Sequence, residues 1–253
     1  MEIQKVSKGR IKYLQSLKLK KNRQKYAAFM AEGRKIVKEF IKYNHHIIKG
    51  IYALDSWIDQ NRVVLTPMMK EVSSLSDNEL KQISSLKTPD LVCIECSIPS
   101  PAKVKDAHWI LYIDGIADPG NLGTIIRSAD WFGVDVIYIS SNTVEPYNPK
   151  VLQASMGSLA RIPIHVADVH EVHEMHPNIP WFVADLQGQD INHCADILSA
   201  VLVIGSESHG PSTHLQHIPH QRLRILGKRS KQVDSLNAAI AASILMQRLI
   251  PAN

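Results

Sequence analysis

The chain has 253 residues, of which 45% are hydrophobic and 21% charged, with a net charge of +5. That balance describes a globular protein of one large or two modest domains and excludes a disordered chain. No apolar run approaches the length of a membrane span, the basic N-terminus has no secretory apolar region, and three cysteines (Cys93, Cys96, Cys194) are too few for a disulfide scaffold, so a reducing, cytoplasmic setting is expected.

The charge is unevenly placed. Residues 1–25 hold nine Lys/Arg and one acid, a local net charge of +8, which leaves the rest of the chain at −3. Such a basic arm suits a polyanion, or else is a solvated, flexible tail. Within it Ile11, Leu14 and Leu17 recur at helical spacing and predict an amphipathic helix. Phe29 to Phe40 reads as entry into a helix. Ile47 to Leu54, Val63 to Leu65 and Leu91 to Glu95 read as strands, with short helices over Pro67 to Leu75 and Ser76 to Leu86. Ser76 and Glu79 form a capping-box pattern. This alternation predicts a small α/β domain over about residues 1–98. The prolines and serines around Ser97-Ile98-Pro99-Ser100-Pro101 mark a linker, placed at about 99–106.

From residue 107 the alternation resumes. Strands are predicted at 110–113, 134–140, 162–166, 181–185, 201–204 and 222–226, and helices at 124–132, 150–159, 169–175 and 234–249. A second α/β domain, 107–253, follows, with a mostly parallel sheet covered on both faces. Asp118-Pro119-Gly120-Asn121-Leu122-Gly123 reads as a turn after the first strand, opening a helix whose apolar face is Ile125, Ala129 and Phe132 and whose C-cap is Gly133. Packing leaves Asn121 and Arg127 unexplained. The turn lies where open α/β sheets bind ligands, at a strand's carboxyl end. The dinucleotide fingerprint is absent, because Gly115, Gly120 and Gly123 have the wrong spacing.

The run from Asp118 to Asp135 closely resembles the first motif of the SpoU (TrmH-type) RNA ribose 2′-O-methyltransferases of the SPOUT class. Val201 to Gly210, a strand followed by Gly205-Ser206-Glu207-Ser208-His209-Gly210, resembles the second. Ser235-Leu236-Asn237-Ala238-Ala239-Ile240-Ala241-Ala242 resembles the third. Together they span about Ile110 to Leu249. Glu32-Gly33 followed by Val37 resembles the family's N-terminal substrate-binding domain.

The resemblance implies a C-terminal trefoil-knot methyltransferase domain preceded by an RNA-binding α/β domain of ribosomal-protein type. It implies S-adenosylmethionine as cofactor, contacted at Gly205, Ile225 and Leu236 with Ser235 beside them. It further implies RNA as substrate, ribosomal in preference to transfer RNA, and a homodimer with the active site near the subunit interface. Arg127 matches the catalytic arginine, with Asn121, Glu207 and Asn237 holding it and the acceptor ribose in register. Ser155, Gly157 and Arg161 resemble a segment near the acceptor site. A guanidinium keeps its charge, so Arg127 is read as a stabiliser of the developing alkoxide or a phosphate clamp. The stretch Ile225-Leu226-Gly227-Lys228-Arg229-Ser230-Lys231 departs from the family pattern by a longer, more polar loop.

Three signals read as bland. Cys93 and Cys96 fall on a predicted strand, on opposite faces, and no metal is expected. His170, His173 and His176 read as a solvated helix face. His209, His214, His217 and His220 have no ligand spacing. The rival reading from another class is a non-catalytic RNA-binding protein using the basic arm.

Overall fold

The computed structural model describes residues 3–100, 104, 106–194, 197–206, 210, 212–227 and 234–251. The chain divides into two compact units, Met1–Ser100 with Tyr147–Ala160, and Pro101–Pro146 with Arg161–Asn253.

The first unit opens with β1 (Gln4–Lys5), α1 (Lys8–Ser16) and α2 (Lys20–Tyr26). The basic segment is therefore not a free tail. Ile11, Leu14 and Leu17 are buried in one cluster with Ala28, Tyr52, Leu80, Ile83 and Cys93. Each large aliphatic side chain so placed contributes about 1.5–3 kcal/mol relative to exposure. Ser7 caps α1 by accepting from Arg10 N.

Next come β2 (Ala28–Glu32), α3 (Arg34–Tyr43), β3 (Ile48–Ala53), α4 (Asp55–Gln60), α5 (Arg62–Leu65), β4 (Val72–Ser74), α6 (Asp77–Ile83) and β5 (Val92–Ser97). Their sheet runs β1-β4-β3-β5-β2, with β5 antiparallel to both neighbours and the other pairs parallel. The capping box at Ser76 and Glu79 is present.

Three expectations are corrected. Phe29 lies in β2, and the helix begins only at Arg34, after Gly33 at φ +98°. Val63 to Leu65 is a helical turn, not a strand: Leu65 alone is buried, while Val63 and Val64 are exposed. Most of Pro67 to Leu75 is a 3₁₀ segment, Thr66–Glu71, followed by β4. Cys93 and Cys96 are free and buried in β5, and burial pushes both thiols well up. The helix α8 (Pro149–Ser155) completes this unit. Tyr147 stacks on Phe29 at 4.5 Å, and Gln153 Nε2 donates to Glu32 O at 3.0 Å.

The second unit is built on β6 (Trp109–Asp114), α7 (Pro119–Phe132), β7 (Val136–Ile139), β8 (Ile164–Val166), α9 (Val169–Met175), β9 (Trp181–Asp190), β10 (Ala200–Gly205), β11 (His220–Arg224) and α10 (Ala238–Leu249). Every pairing in its sheet, ordered β11-β9-β10-β6-β7-β8, is parallel. The central strands read as unbroken apolar runs because both faces are covered. All carboxyl ends consequently share one edge.

Here the histidine expectation fails in part. His170 is exposed, but His176 is buried at the C-cap of α9, its Nε2 3.0 Å from Tyr138 Oη. Burial lowers the pKa of His176 and of His165 on β8, whose Nε2 is buried without a hydrogen-bond partner among the described residues. The folded state holds these rings neutral, whereas the unfolded chain takes protons near the ordinary value of 6.5. Their contribution is therefore complete above about pH 6.5 and is lost as pH falls below it. Urea unfolding should show a lower midpoint at pH 5.5 than at pH 7.5, with a smaller difference in His176→Gln. Equal shifts in both proteins would exclude His176 as the cause.

Candidate active site

Three strand ends define the carboxyl-terminal edge where ligands are expected. Asp114 ends β6, Gly205 ends β10 directly opposite it, and Ile225 follows β11. Arg222 and Val203 are both level with Val183 of β9, and the register of β11 against β9 then shifts, so that Leu223 and Arg224 pair with Gln189 and Asp190 just before Ile225.

The helix α7 begins earlier than the sequence pattern implied. Asp118 is its N-cap, accepting from Asn121 N at 2.7 Å, and Pro119 opens the first turn. Asn121 thus sits in the first turn of the helix rather than in a loop. Gly133 caps the other end at φ +78°.

The helix α10 also starts differently. Its N-cap is Asn237, and residues 234–237 precede the helix. Asn237 Oδ1 accepts from Ala239 N (3.0 Å) and Ile240 N (3.4 Å). The cap turns its amide nitrogen outward, and Nδ2 donates to Asn121 Oδ1 at 3.0 Å. Further along, Ser128 Oγ lies 2.8 Å from Ser243 Oγ. Ser243 donates its single proton to Ala239 O at 2.8 Å, so Ser128 is the donor between them. Asn121 and Ser128 are seven residues apart and share one face of α7. Two polar bonds across that seam fix α10 against the first β–α unit.

The Arg127 side chain is exposed and makes no hydrogen bond or ion pair among the described residues. Six residues from Asn121, it projects about 120° around the helix from that side chain. The structure therefore joins Asn121 with Asn237 and points Arg127 elsewhere. Trp131, one turn beyond Arg127, is 84% exposed. Glu207 and His209 lie outside the described residues.

Gly205 presents backbone without a side chain. Leu236 and Leu226 are exposed, as are Ser235 and Gly227. Among the acceptor-segment residues, Ser155 is fully buried and donates to Leu152 O. Gly157, at φ +96°, lies against α3, where an added Cβ would be 2.7 Å from Glu39 Cγ. Arg161 makes a two-pronged ion pair with Asp130 of α7.

Asp114 was not singled out from the sequence. It is 4% exposed, and its Oδ2 accepts from Ser212 N at 2.7 Å. It thereby ties Ser212 to the carboxyl end of β6, and Ser206 pairs with Gly210 in an isolated bridge. The neighbouring Gly115 N donates to Ser140 Oγ and Thr143 Oγ1, both at 3.0 Å. An acid at the end of an apolar strand was the available signal, but its partner is 98 residues away.

In the first unit, Glu32 and Gly33 have packing roles. The buried Glu32 carboxylate accepts from Ser84 Oγ and from Ser85 N. Arg34 holds Asp90 by backbone N (2.9 Å) and Nε (2.7 Å). Together they fasten the loop from Ser84 to Asp90 to the β2–α3 junction.

Residues 108–247 match the SpoU rRNA Methylase family, and residues 8–93 match the MRM3-like substrate binding domain. The chain belongs to the SpoU rRNA methylase family. Enzymes of this family use S-adenosylmethionine to methylate ribose 2′-hydroxyls in RNA. The chain is 28% identical to a 23S rRNA (guanosine(2553)-2′-O)-methyltransferase of Bacillus subtilis, over 98% of each chain. Its fold matches a TrmH-family protein of Porphyromonas gingivalis with a TM-score of 0.86 and 33% identity, covering 96% of this chain and 97% of that one. It also matches an AdoMet-bound rRNA methyltransferase of Sinorhizobium meliloti, with a TM-score of 0.84 and 26% identity over 98% and 96%. The fold class is the mixed α/β SPOUT architecture, as expected.

Asp114→Ala should leave Ser212 N without its partner and cost about 1–3 kcal/mol of stability. It should also loosen the Gly205 loop and weaken S-adenosylhomocysteine binding by calorimetry, with Asp114→Asn milder in both. Wild-type stability and binding in Asp114→Ala would remove Asp114 from the site's framework.

Proposed function

We propose that this protein transfers the methyl group of S-adenosylmethionine to a ribose 2′-hydroxyl of ribosomal RNA. The observation that carries the reading is the Asn237–Asn121 hydrogen bond. It brings the first and third motifs together at the start of their helices. In this reading residues 107–253 carry the chemistry, residues 1–98 bind RNA, and about 99–106 link them. The match to a substrate-binding domain and the Bacillus relative's 23S rRNA substrate support ribosomal over transfer RNA.

When bound, S-adenosylmethionine supplies a methyl group made electrophilic by its sulfonium. The backbone groups of Gly205, Ile225 and Leu236 hold it, with Ser235 beside them. The amides of Asn121 and Asn237, with Glu207, orient the acceptor ribose. A hydroxyl must be positioned in line and made more acidic, and alignment supplies much of the acceleration. Arg127 stabilises negative charge developing on the 2′ oxygen, or clamps the adjacent phosphate.

The direction of Arg127 supports a homodimer with the site near its interface. Arg127 and Trp131 form an exposed face on α7, and Ile240 (51% exposed) and Ile244 (37%) form an apolar one on α10. A second copy covering these faces would bring Arg127 to the site. A monomer in sedimentation experiments would reject this part. Three free cysteines support residence in a reducing, cytoplasmic setting.

Arg127→Ala should lower methyl transfer by about 10²–10³ while S-adenosylhomocysteine binding stays near normal. Arg127→Lys should recover little, since an ammonium lacks the planar fork. Tritium transfer to ribosomal RNA and calorimetry measure the two. A folded Arg127→Ala protein with wild-type turnover would contradict the assignment, and transfer to transfer RNA alone would reassign the substrate.

A further inference from the structure

The nine basic residues of the N-terminal segment do not have one role. Three serve the fold. Arg23, 3% exposed, donates from Nη1 to Leu17 O and Lys18 O, both at 2.7 Å. Lys18 Nζ donates to Gln82 O (2.9 Å) and Ser84 O (2.6 Å) at the end of α6. Arg10 pairs with the buried Glu95 carboxylate, which also accepts from Tyr13 Oη at 2.8 Å.

Of the other six, Lys5 lies near enough to Glu79 to lower its pKa, while Lys8, Lys12, Lys20, Lys21 and Lys25 are exposed and none of these five pairs with a carboxylate among the described residues. Neither α1 nor α2 contains an acid. Their placement opposes local stability. Lys20 and Lys21 occupy the first turn of α2, where the helix dipole disfavours cations. Lys21 and Lys25 are like charges at i,i+4. A surface that breaks a local rule without a gain in packing points to a partner.

Aromatic rings accompany the charges. Tyr26 is 39% exposed, with Lys25 Nζ 5.2 Å from its ring centroid. Its ring meets Tyr13 edge-on at 5.1 Å, and Arg10 lies 4.8 Å from the Tyr13 ring. Tyr26 is thus an open ring held against a buttressed neighbour, with Lys25 beside it. Single-stranded nucleic acid is held in this way, with phosphates on lysines and a base against an aromatic face.

We infer that the exposed surface of α2, which carries Lys20, Lys21, Lys25 and Tyr26, binds a single-stranded stretch of substrate RNA, the lysines taking phosphates and Tyr26 a base. The inference rests on the RNA methyltransferase reading and assigns that substrate a contact on α2, a surface distinct from the β2–α3 junction and from the catalytic unit.

The test uses the full chain with three lysines changed together, Lys20→Gln, Lys21→Gln and Lys25→Gln. Deproteinised ribosomal RNA is the probe, titrated from 50 to 200 mM salt. Loss of three phosphate contacts should flatten the log–log salt slope by about 2, so that binding is weakened at both ends of the range and about 16-fold more at 50 than at 200 mM. KM for RNA should rise while kcat and S-adenosylhomocysteine affinity hold. The melting temperature should not fall, since repulsion is relieved. Tyr26→Leu should weaken binding roughly 5- to 150-fold, and Tyr26→Phe should restore it.

An unchanged slope and affinity in the triple variant, with wild-type protein binding RNA and transferring methyl groups, overturns the inference alone. Wild-type protein that binds no RNA overturns the functional reading as well. If the triple variant keeps RNA binding but loses binding to phosphatidylserine vesicles, the partner is a lipid surface and the inference is wrong.

Discussion

The site depends on one constraint: the last helix must return to the first β–α unit. Asn237 achieves this with a single side chain, because capping α10 consumes its oxygen and turns its nitrogen toward Asn121. A serine or aspartate could cap α10 equally well, but neither has an amide donor to spare. Asn121 is itself fixed by Asp118 at the start of α7. Residues 116 positions apart are thus set by two helix caps, and the Ser128–Ser243 bond keeps the seam from sliding.

The parallel sheet makes this placement useful. Because every strand of the second unit points the same way, Asp114, Gly205 and Ile225 emerge on one edge. Asp114 then trades its hydration for a hydrogen bond from Ser212 N. The first unit handles charge by a different rule. Its buried acids, Glu32 and Glu95, are each satisfied by partners from other elements, and they fasten a loop and a helix. Its lysines are left without acids on α1 and α2, where they weaken the helices that carry them.

Much of the fold was legible because the signals were local. Gly133 marked the end of α7, Ser76 and Glu79 marked the start of α6, and the apolar runs of β6 and β10 required burial on both faces. Val63 to Leu65 was misread because β-branched residues favour strands by packing, and here two of the three pack against nothing. Asn121 appeared to lie in a turn because Pro119 and Gly120 are turn formers, yet proline also fits the first position of a helix. The basic segment read as an arm because its charges outnumber its apolar residues. Three buried residues, Ile11, Leu14 and Leu17, were enough to fold it in. His176 and Asp114 were illegible because their partners lie 38 and 98 residues away in sequence. The roles of Arg127, Asn121 and Asn237 came from motif resemblance. The sequence could not show that two of these side chains meet while the third points away.

The central claim is that Asn121 and Asn237 act as one unit. The most direct measurement is a double-mutant cycle on methyl transfer to ribosomal RNA, using Asn121→Ala, Asn237→Ala and the pair. If the two amides form one device, either single change removes most of its effect, and the double variant should be scarcely slower than the worse single. If the losses in kcat/KM instead multiply, the residues act independently, and the hydrogen bond between them does not organise the site.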